Sequence, residues 1–509
     1  MNMFTTLRNQ ALKIFLLIVC LGSLALQLSV PINLTAVDIG RHIKNGELIL
    51  TGHRQVLYKN FYSFTYPDYP FINHHWFFGV MAYVIFHMSG FDGLSVFYIL
   101  LLVLSFLIAF DSARRYSNFS LGLFFGVLGF LLLISRPEIR PEGVSVFFVA
   151  LDFWLLQRFL QRSISDSLVL IVIPIVQIFW VNTHIFFFMG PVLVGIFLWQ
   201  ARLAGESQER LGLLQRLGGL SVLVNLINPS GLWGMLTPLN GFKKFGYSLA
   251  ENQSVFFMIH RFGDNIIYKY YVFAAMVLIV GMVICLRREG AKGLPMVVLG
   301  SFITMATFKA VRLIMPFGFL FIPLAAYFYT PYIKKVSVVF MLGIASVAGL
   351  ILCECLMPAY HHIGLMPNVN ASAEFFKQNG LRGPIFSNYD IGGYLIYHLE
   401  GQEKVFVDNR QEAFPPDFFQ KTYIPMQEDP QVWKTLSEKY GFNIIYFYRQ
   451  DITPWGQSFL ISRVQDSQWA PVFVDDYTII FARRGSLDQS VIDRFELPKS
   501  MFGVVHSSP

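Results

Sequence analysis

Four short stretches of the sequence place acids, bases and histidines beside long apolar runs. The first begins at Asp38, continues through the amphipathic pattern "RHIKNGELIL" and closes on His74-His75. A carboxylate held at the edge of a membrane can act as a general base, with imidazoles beside it. The alternatives are a charged residue that ends a transmembrane helix, for Asp38, and interfacial anchoring, for His74 and His75.

The second stretch is "SRPEIRPEG", residues 135–143, in which Arg136, Glu138, Arg140 and Glu142 alternate around two prolines. The prolines break helical structure and hold the turn extended. Because a guanidinium can bond two phosphate oxygens at once, the pattern predicts a phosphate clamp with a carboxylate beside it. An ion-paired surface turn is the alternative.

The remaining two stretches are "FWVNTHIFFF", which contains His184, and "TFKAVRLIMPF", which contains Lys309 and Arg312. His184 lies between two apolar segments with no polar partner nearby except Asn182. Ionisable groups at membrane depth indicate function, although a structural histidine is the alternative. The three-residue spacing predicts Lys309 and Arg312 on one helical face, as a phosphate contact or as snorkelling side chains.

The composition predicts the elements that position these residues. The chain of 509 residues is 54% hydrophobic and 14% charged, whereas soluble domains carry about 25% charged residues. This indicates a polytopic membrane protein. The net charge of +7 does not indicate nucleic-acid binding, because the Lys and Arg residues form short clusters between apolar runs, where they set orientation.

A membrane span needs about 20 apolar residues, and the sequence predicts about eleven such spans. They begin near residues 12, 94, 118, 143, 168, 185, 217, 271, 294, 313 and 336. The basic clusters all become cytoplasmic only if "HHWFFGVMAYVIFHMSG" lies at the outer interface as a re-entrant or juxtamembrane helix. The N-terminus is then cytoplasmic, and the first outer loop, 32–93, and everything after about residue 358 lie outside.

Residues 370–509 have shorter apolar runs and more charge, which predicts an extracytoplasmic α/β domain after a transmembrane domain of residues 1–358. Its predicted strands are "GPIFS", "KVFVD" and "FNIIYFY", and "APVFVDDYTIIFARR" predicts a closing hairpin. "SAEFFKQNG" and "PQVWKTLSEKYG" predict helices that end at glycines. Gly392-Gly393 would allow close backbone approach. Asp390, Asp408 and Arg410 predict a buried ion-pair network, with a site for a polar ligand as the alternative.

The order of these features resembles the GT-C superfamily of membrane glycosyltransferases, in particular the protein O-mannosyltransferase and lipid A aminoarabinose transferase types. The resemblance covers nearly the whole chain through loose motifs. They are "DIGRHIKNGELIL", "NFYSFTYPDYPFINHHWFFGV", "SRPEIRPE", "VNTHIFFFMG", "NPSG", "YDIGGYLIYHL" and "KVFVDNR".

This resemblance implies inverting transfer of a hexosyl or pentosyl group from a polyprenyl-phosphate donor to an acceptor hydroxyl on the outer face of a bacterial plasma membrane. The acceptor would be a glycan, a lipid or a protein. Asp38 matches the catalytic base of the family, with His74 and His75 beside it. The implied donor-phosphate ligands are Arg136, Arg140, His184, Lys309 and Arg312.

Many relatives carry a second acid directly after the aspartate, where this chain has Ile39. A divalent metal such as Mg²⁺ or Mn²⁺ is therefore an open question, with Glu138 or Glu142 as the candidate second acid. The alternative to an enzyme is a transporter or flippase for a lipid-linked or anionic solute. That alternative predicts two related halves, and the sequence contains no such repeat.

Overall fold

A computed structural model of the protein describes residues 2–243, 245–330, 349 and 361–503. The candidate span that begins near residue 336 lies outside the described residues. The chain forms two compact units. Unit 1 comprises Met1–Pro31, Leu94–Pro238 and Ser248–Ile363, and unit 2 comprises Ile32–Gly93, Leu239–Tyr247 and Gly364–Pro509.

Helices account for nearly all the regular structure before residue 330. They are α1 (Asn2–Leu28), α2 (Ile39–Leu50), α3 (Trp76–Tyr116), α4 (Phe119–Leu133), α5 (Pro141–Leu160), α6 (Asp166–Val181), α7 (Met189–Ala204), α8 (Gln208–Leu223), α9 (Gly231–Met235), α10 (Val255–Arg261), α11 (Ile266–Glu289), α12 (Leu294–Lys309) and α13 (Ile314–Tyr329). Among the described residues, six helical stretches are long and apolar enough to cross a membrane. The total of about eleven spans stays a prediction.

Helix α3 is interrupted at Gly90, whose φ of 63° and ψ of −161° are not helical. Glycine adopts positive φ without the steric penalty that a side chain brings. The break separates a helix over 76–89, which contains most of the predicted juxtamembrane segment, from a second helix over 91–116.

Unit 1 is a helical bundle in which glycines bring helices close together. A Cβ built on Gly318 of α13 would lie 2.8 Å from Leu132 Cβ on α4, and one on Gly129 would lie 3.2 Å from Ile322 Cγ1. Small residues at such crossings let two backbones approach, which is how helices pack without a hydrophobic driving force in lipid.

Unit 2 combines residues 32–93, the predicted first outer loop, with a small sheet. Its elements after residue 364 are α14 (Ala371–Gln378), β1 (Ile385–Ser387), α15 (Gly392–Leu399), α16 (Pro416–Phe418), a π-helical turn (Phe419–Tyr423), α17 (Pro425–Glu428), α18 (Pro430–Tyr440), β2 (Ile444–Tyr448), α19 (Gly456–Gln465), β3 (Trp469–Val474), β4 (Thr478–Arg483) and α20 (Gln489–Phe495). The strand order is β1-β2-β4-β3. Strand β1 runs parallel to β2, and the other pairs are antiparallel.

The predicted hairpin and two of the three other predicted strands are present, but "KVFVD" is not a strand. Val405 forms only isolated bridges, to Ser63 and Ile385. The chain then leaves the sheet, and Asp408 packs against α15, where a Cβ on Gly392 would lie 2.4 Å from Asp408 Cα. The close approach expected at this glycine is therefore confirmed.

The first outer loop packs against the sheet domain within unit 2. Helix α2 packs on α15, where a Cβ on Gly40 would lie 2.9 Å from Tyr397 Cβ. Arg410 pairs with Asp408 at 2.6 Å and donates to Asn60 Oδ1 at 2.9 Å. The buried ion-pair network predicted for Asp408 and Arg410 is confirmed, and it extends into the loop.

Candidate active site

Asp38 immediately precedes α2, and its carboxylate contacts the first turn of that helix. Oδ2 lies 3.0 Å from Arg41 Nη2 and 3.3 Å from His42 Nε2. Residues three and four positions apart share a helical face, which explains both contacts. Arg41 Nε also donates to Asn409 Oδ1 at 2.9 Å, so the sheet domain helps to orient the guanidinium. The Asp38 side chain is 19% exposed, which leaves it accessible to a substrate.

A row of imidazoles continues from this carboxylate. The ring centroid of His42 lies 5.5 Å from that of His75, and the rings of His75 and His74 are 4.0 Å apart. The structure therefore brings Asp38, His74 and His75 into one group in unit 2. His42, which is fully buried, joins them between Asp38 and His75. Its spacing of four residues from Asp38 was the signal that could have added it to the predicted site.

Unit 1 contains a second group, called here the arginine cluster: Arg136, Arg140, Arg312, Glu142 and Glu251. Arg136 Nη2 lies 2.6 Å from Glu251 Oε2, and Arg140 Nη1 lies 3.4 Å from the same oxygen. Arg312 Nη2 lies 2.9 Å from Glu142 Oε1, and its Nη1 lies 3.4 Å from Glu251 Oε1. The structure thus brings together three of the four predicted phosphate-binding cations in this unit.

Local structure explains how these side chains meet. Pro141 is the first residue of α5, so the segment before it stays extended and carries both arginines to the start of that helix. Arg312 lies in the single 3-10 turn between α12 and α13. Glu251 lies in a short 3-10 turn before α10.

Three guanidinium groups and two carboxylates give the arginine cluster a formal charge of +1. Burial raises the pKa of the Glu251 carboxyl, but the guanidinium groups of Arg136, Arg312 and Arg140 outweigh it and hold that pKa below its usual value. Glu251 is therefore ionised at neutral pH. The cluster combines excess positive charge with carboxylates that fix the guanidinium groups in place, which suits a phosphate ligand.

His184 lies next to this cluster through an aromatic contact. Its Nδ1 is 2.8 Å from Ser145 Oγ, and its ring is 4.4 Å from that of Phe186. The Arg312 guanidinium lies 5.9 Å from the same Phe186 ring. The expectation that this stretch has no polar partner nearby was wrong. Its partners come from other elements, since Asn182 also donates to Ile227 O at 2.8 Å.

Two predicted residues lie apart from these contacts. Helix α12 ends at Lys309, and Ala310 is extended with φ −144° and ψ 111°, so the prediction that Lys309 and Arg312 share a helical face was wrong. Lys309 is exposed. Within the described part of the chain, neither Lys309 nor Glu138 forms an ion pair, whereas Glu142 is 6% exposed and pairs with Arg312.

Glu251 is the member of the cluster that sequence reasoning missed. It lies 115 residues from Arg136, in a stretch where Glu251, His260, Arg261 and Asp264 show no interpretable spacing. Only a tertiary contact identifies it.

Two of the carboxylates considered for a metal contact basic side chains. Asp38 contacts Arg41 and His42, and Glu142 contacts Arg312. Across the described ranges, no group of three or more His, Cys, Asp or Glu residues could hold a metal ion. Carboxylates that bind Mg²⁺ or Mn²⁺ need several oxygen ligands around one point, and that arrangement is not found there.

No protein-family model and no curated protein matches the sequence. Solved structures do match the fold. The archaeal oligosaccharyltransferase AglB of Archaeoglobus fulgidus, in complex with an inhibitory peptide and a dolichol-phosphate, aligns with a TM-score of 0.60 at 10% identity, over 94% of this chain and 75% of its own. The Archaeoglobus fulgidus oligosaccharyltransferase in complex with Zn and sulfate aligns with a TM-score of 0.60 at 11% identity, over 92% of this chain and 73% of its own.

ArnT of Cupriavidus metallidurans, bound to undecaprenyl phosphate, aligns with a TM-score of 0.52 at 12% identity, over 94% of this chain and 98% of its own. AglB and ArnT are both GT-C proteins, so the predicted resemblance is confirmed: this chain has the GT-C fold. It is an integral membrane protein that is mostly helical, with a small C-terminal sheet.

Proposed function

We propose that the protein is a membrane glycosyltransferase that transfers a hexosyl or pentosyl group from a polyprenyl-phosphate donor to an acceptor hydroxyl. The acceptor is a glycan, a lipid or a protein on the outer face of a plasma membrane, with the N-terminus of the enzyme in the cytoplasm. The observation that carries the proposal is the arginine cluster, with three guanidinium groups held by two carboxylates. The GT-C fold supports it, since AglB and ArnT have been solved with polyprenyl phosphates.

In the proposed reaction the acceptor oxygen attacks the anomeric carbon of the donor sugar. The bond from that carbon to the phosphate oxygen breaks, and the polyprenyl phosphate leaves with the electron pair, so the anomeric configuration inverts. Arg136, Arg140 and Arg312 stabilise the negative charge that develops on the phosphate. His184 supports Arg312 through Phe186, and the part of Lys309 as a further phosphate ligand stays a prediction, since it lies apart from these contacts.

Asp38 takes the proton of the acceptor hydroxyl, as a general base. Its contacts to Arg41 and His42 orient the carboxylate. His75 and His74 extend from His42 and hold that imidazole in place. Asp38 and Glu142, two of the carboxylates considered for a metal, are each held by basic side chains.

The test compares Asp38→Asn with the wild-type enzyme in nanodiscs, supplied with a set of polyprenyl-phosphate sugars. Loss of a general base should lower the transfer rate by about 10²–10⁴. Glu47→Gln is the matched control, since Glu47 lies on the same helix and pairs only with Lys44 among the described residues. Nuclear magnetic resonance of the product reports the anomeric configuration.

Full activity of a correctly inserted Asp38→Asn variant would show that the base is another group. If wild-type protein transferred none of the sugars but moved a lipid-linked sugar across a vesicle membrane, the transporter alternative would replace the enzyme.

A further inference from the structure

Unit 1 contains a cavity of about 200 Å³ that the proposed reaction does not use. It lies where α3, α5 and α7 end, at Tyr116, Leu160 and Ala204. Its lining residues are Tyr116, Gln157, Leu160, Gln161, Phe197, Gln200, Ala204 and Glu206. We call it the C-terminal cavity.

Two amide oxygens at this cavity accept no hydrogen bond from the described residues. Gln157 is 1% exposed, and its Nε2 donates to Ser112 O at 2.9 Å, which fixes the orientation of the amide. Its Oε1 is buried and accepts no hydrogen bond from the described residues, and the same holds for Gln200 Oε1. A buried acceptor without a donor is unfavourable, so a ligand that donates hydrogen bonds is expected here.

The helix ends add negative potential to the cavity. The last carbonyl groups of a helix have no partner within it, and the helix dipole makes this end partially negative. Three such ends lie at this cavity, and the Glu206 carboxylate lines it as well. The ligand group that suits the interior is therefore a cation that carries N–H bonds.

Two arginines contact Glu206, which lines this cavity. Arg162 Nη2 lies 3.2 Å from Glu206 Oε2, and Arg210 Nη1 lies 3.8 Å from that oxygen. The Arg162 side chain remains 69% exposed. A guanidinium this exposed can also bind a phosphate. The site therefore has acceptors inside and cations outside, at the end of membrane-spanning helices.

We propose that the C-terminal cavity binds a phosphoethanolamine group, with the primary ammonium inside and the phosphate on Arg162. The ammonium donates to Gln157 Oε1, Gln200 Oε1 and Glu206. A trimethylated ammonium carries no N–H bond and cannot satisfy these acceptors. The site thus discriminates phosphatidylethanolamine from phosphatidylcholine, at a position that is separate from the arginine cluster.

The experiment places the full-length protein in nanodiscs of phosphatidylglycerol mixed with either phosphatidylethanolamine or phosphatidylcholine. Thermal unfolding and native mass spectrometry measure stabilisation and retained lipid. Since a hydrogen bond to a charged group is worth about a tenfold change in binding, we expect about tenfold greater retention of phosphatidylethanolamine. Gln200→Met, which keeps the length but removes the acceptor, should abolish this preference.

Gln208→Met is the matched control, since Gln208 is exposed at the start of α8 and does not line the cavity. Free phosphoethanolamine, added to the phosphatidylcholine discs, identifies the source of the ligand. If free phosphoethanolamine stabilises the protein in these discs, the ligand is a soluble metabolite. If only phosphatidylethanolamine stabilises it, the ligand is the membrane lipid. Equal retention of both lipids without an effect of free phosphoethanolamine, or an unchanged preference in Gln200→Met, would overturn the proposal.

Discussion

Replacing Glu251 by Gln should weaken the fold and strengthen the binding of a polyprenyl phosphate. Glu251 contacts all three guanidinium groups of the arginine cluster, at 2.6 Å for Arg136 and 3.4 Å for both Arg140 and Arg312. Removing one partner of a fully buried ion pair destabilises a protein by about 3–5 kcal/mol. The Glu251 side chain is 26% exposed and those of the arginines are 13–23% exposed. Because solvent reaches this site, we expect Glu251→Gln to destabilise the protein by only about 2 kcal/mol.

The same substitution raises the formal charge of the cluster from +1 to +2. One additional net positive charge about 6 Å from a phosphate charge is worth about 3 kcal/mol at an effective dielectric constant of about 20. Solvent at this partly exposed site screens part of that energy. We therefore expect the dissociation constant of undecaprenyl phosphate to fall by about tenfold or more.

Thermal unfolding in nanodiscs, with and without undecaprenyl phosphate, measures both effects, because a ligand that binds only the native state raises the unfolding temperature. Asp111→Asn is the matched control. Asp111 is 20% exposed and binds Arg114 and Arg115, both at 2.6 Å, so its loss should destabilise unit 1 without altering the lipid-phosphate effect. Wild-type stability of Glu251→Gln, or an undecaprenyl-phosphate shift equal to that of Asp111→Asn, would refute the reasoning.

Two further predictions concern unit 2 and are checked by thermal unfolding. Gly392→Ala should destabilise it by about 2 kcal/mol, because the added Cβ would lie 2.4 Å from Asp408 Cα. The control is Gly219→Ala in helix α8 of unit 1, where no atom lies within 4 Å of the added Cβ, and it should be neutral or stabilising. Equal effects of the two substitutions on stability would exclude a steric cause. Burial and two nearby lysines lower the pKa of His398 to about 3, while the unfolded chain titrates near pH 6.5. Since only the unfolded chain binds this proton between those values, stability should fall as pH decreases from 7 to 5. A His398→Gln variant should lose less stability between pH 7 and pH 5 than the wild-type protein. An identical dependence of stability on pH in the two proteins would contradict the role of His398.

Local pattern identified much of unit 2 correctly. The alternation and turn residues of "APVFVDDYTIIFARR" predicted the antiparallel pair β3 and β4. "KVFVD" has the same composition of β-formers, yet Val405 forms only isolated bridges. Strand propensity depends on the surroundings of a segment, and after Val405 this one packs against Gly392 through Asp408.

The charged residues also divide into those whose contacts the sequence spacing predicts and those whose contacts only the fold creates. Asp38, Arg41 and His42 lie within two helical turns, so their spacing alone predicts that they meet. Glu251 and Arg136 are 115 residues apart, and no period in the sequence relates them. Lys309 and Arg312 are near neighbours that a single extended residue, Ala310, separates into different elements.

The motifs of the sequence carried the likeness to GT-C proteins. The sequence by itself also determined the membrane class, most helix positions and the contacts of Asp38 with Arg41 and His42. These properties follow from apolar length, basic clusters and short-range spacing, which act between residues close along the chain. Only the tertiary structure decided which carboxylates hold the arginines and which acceptors remain without donors in the C-terminal cavity. Those contacts join residues from separate helices, and their partners depend on how the helices pack rather than on any local pattern.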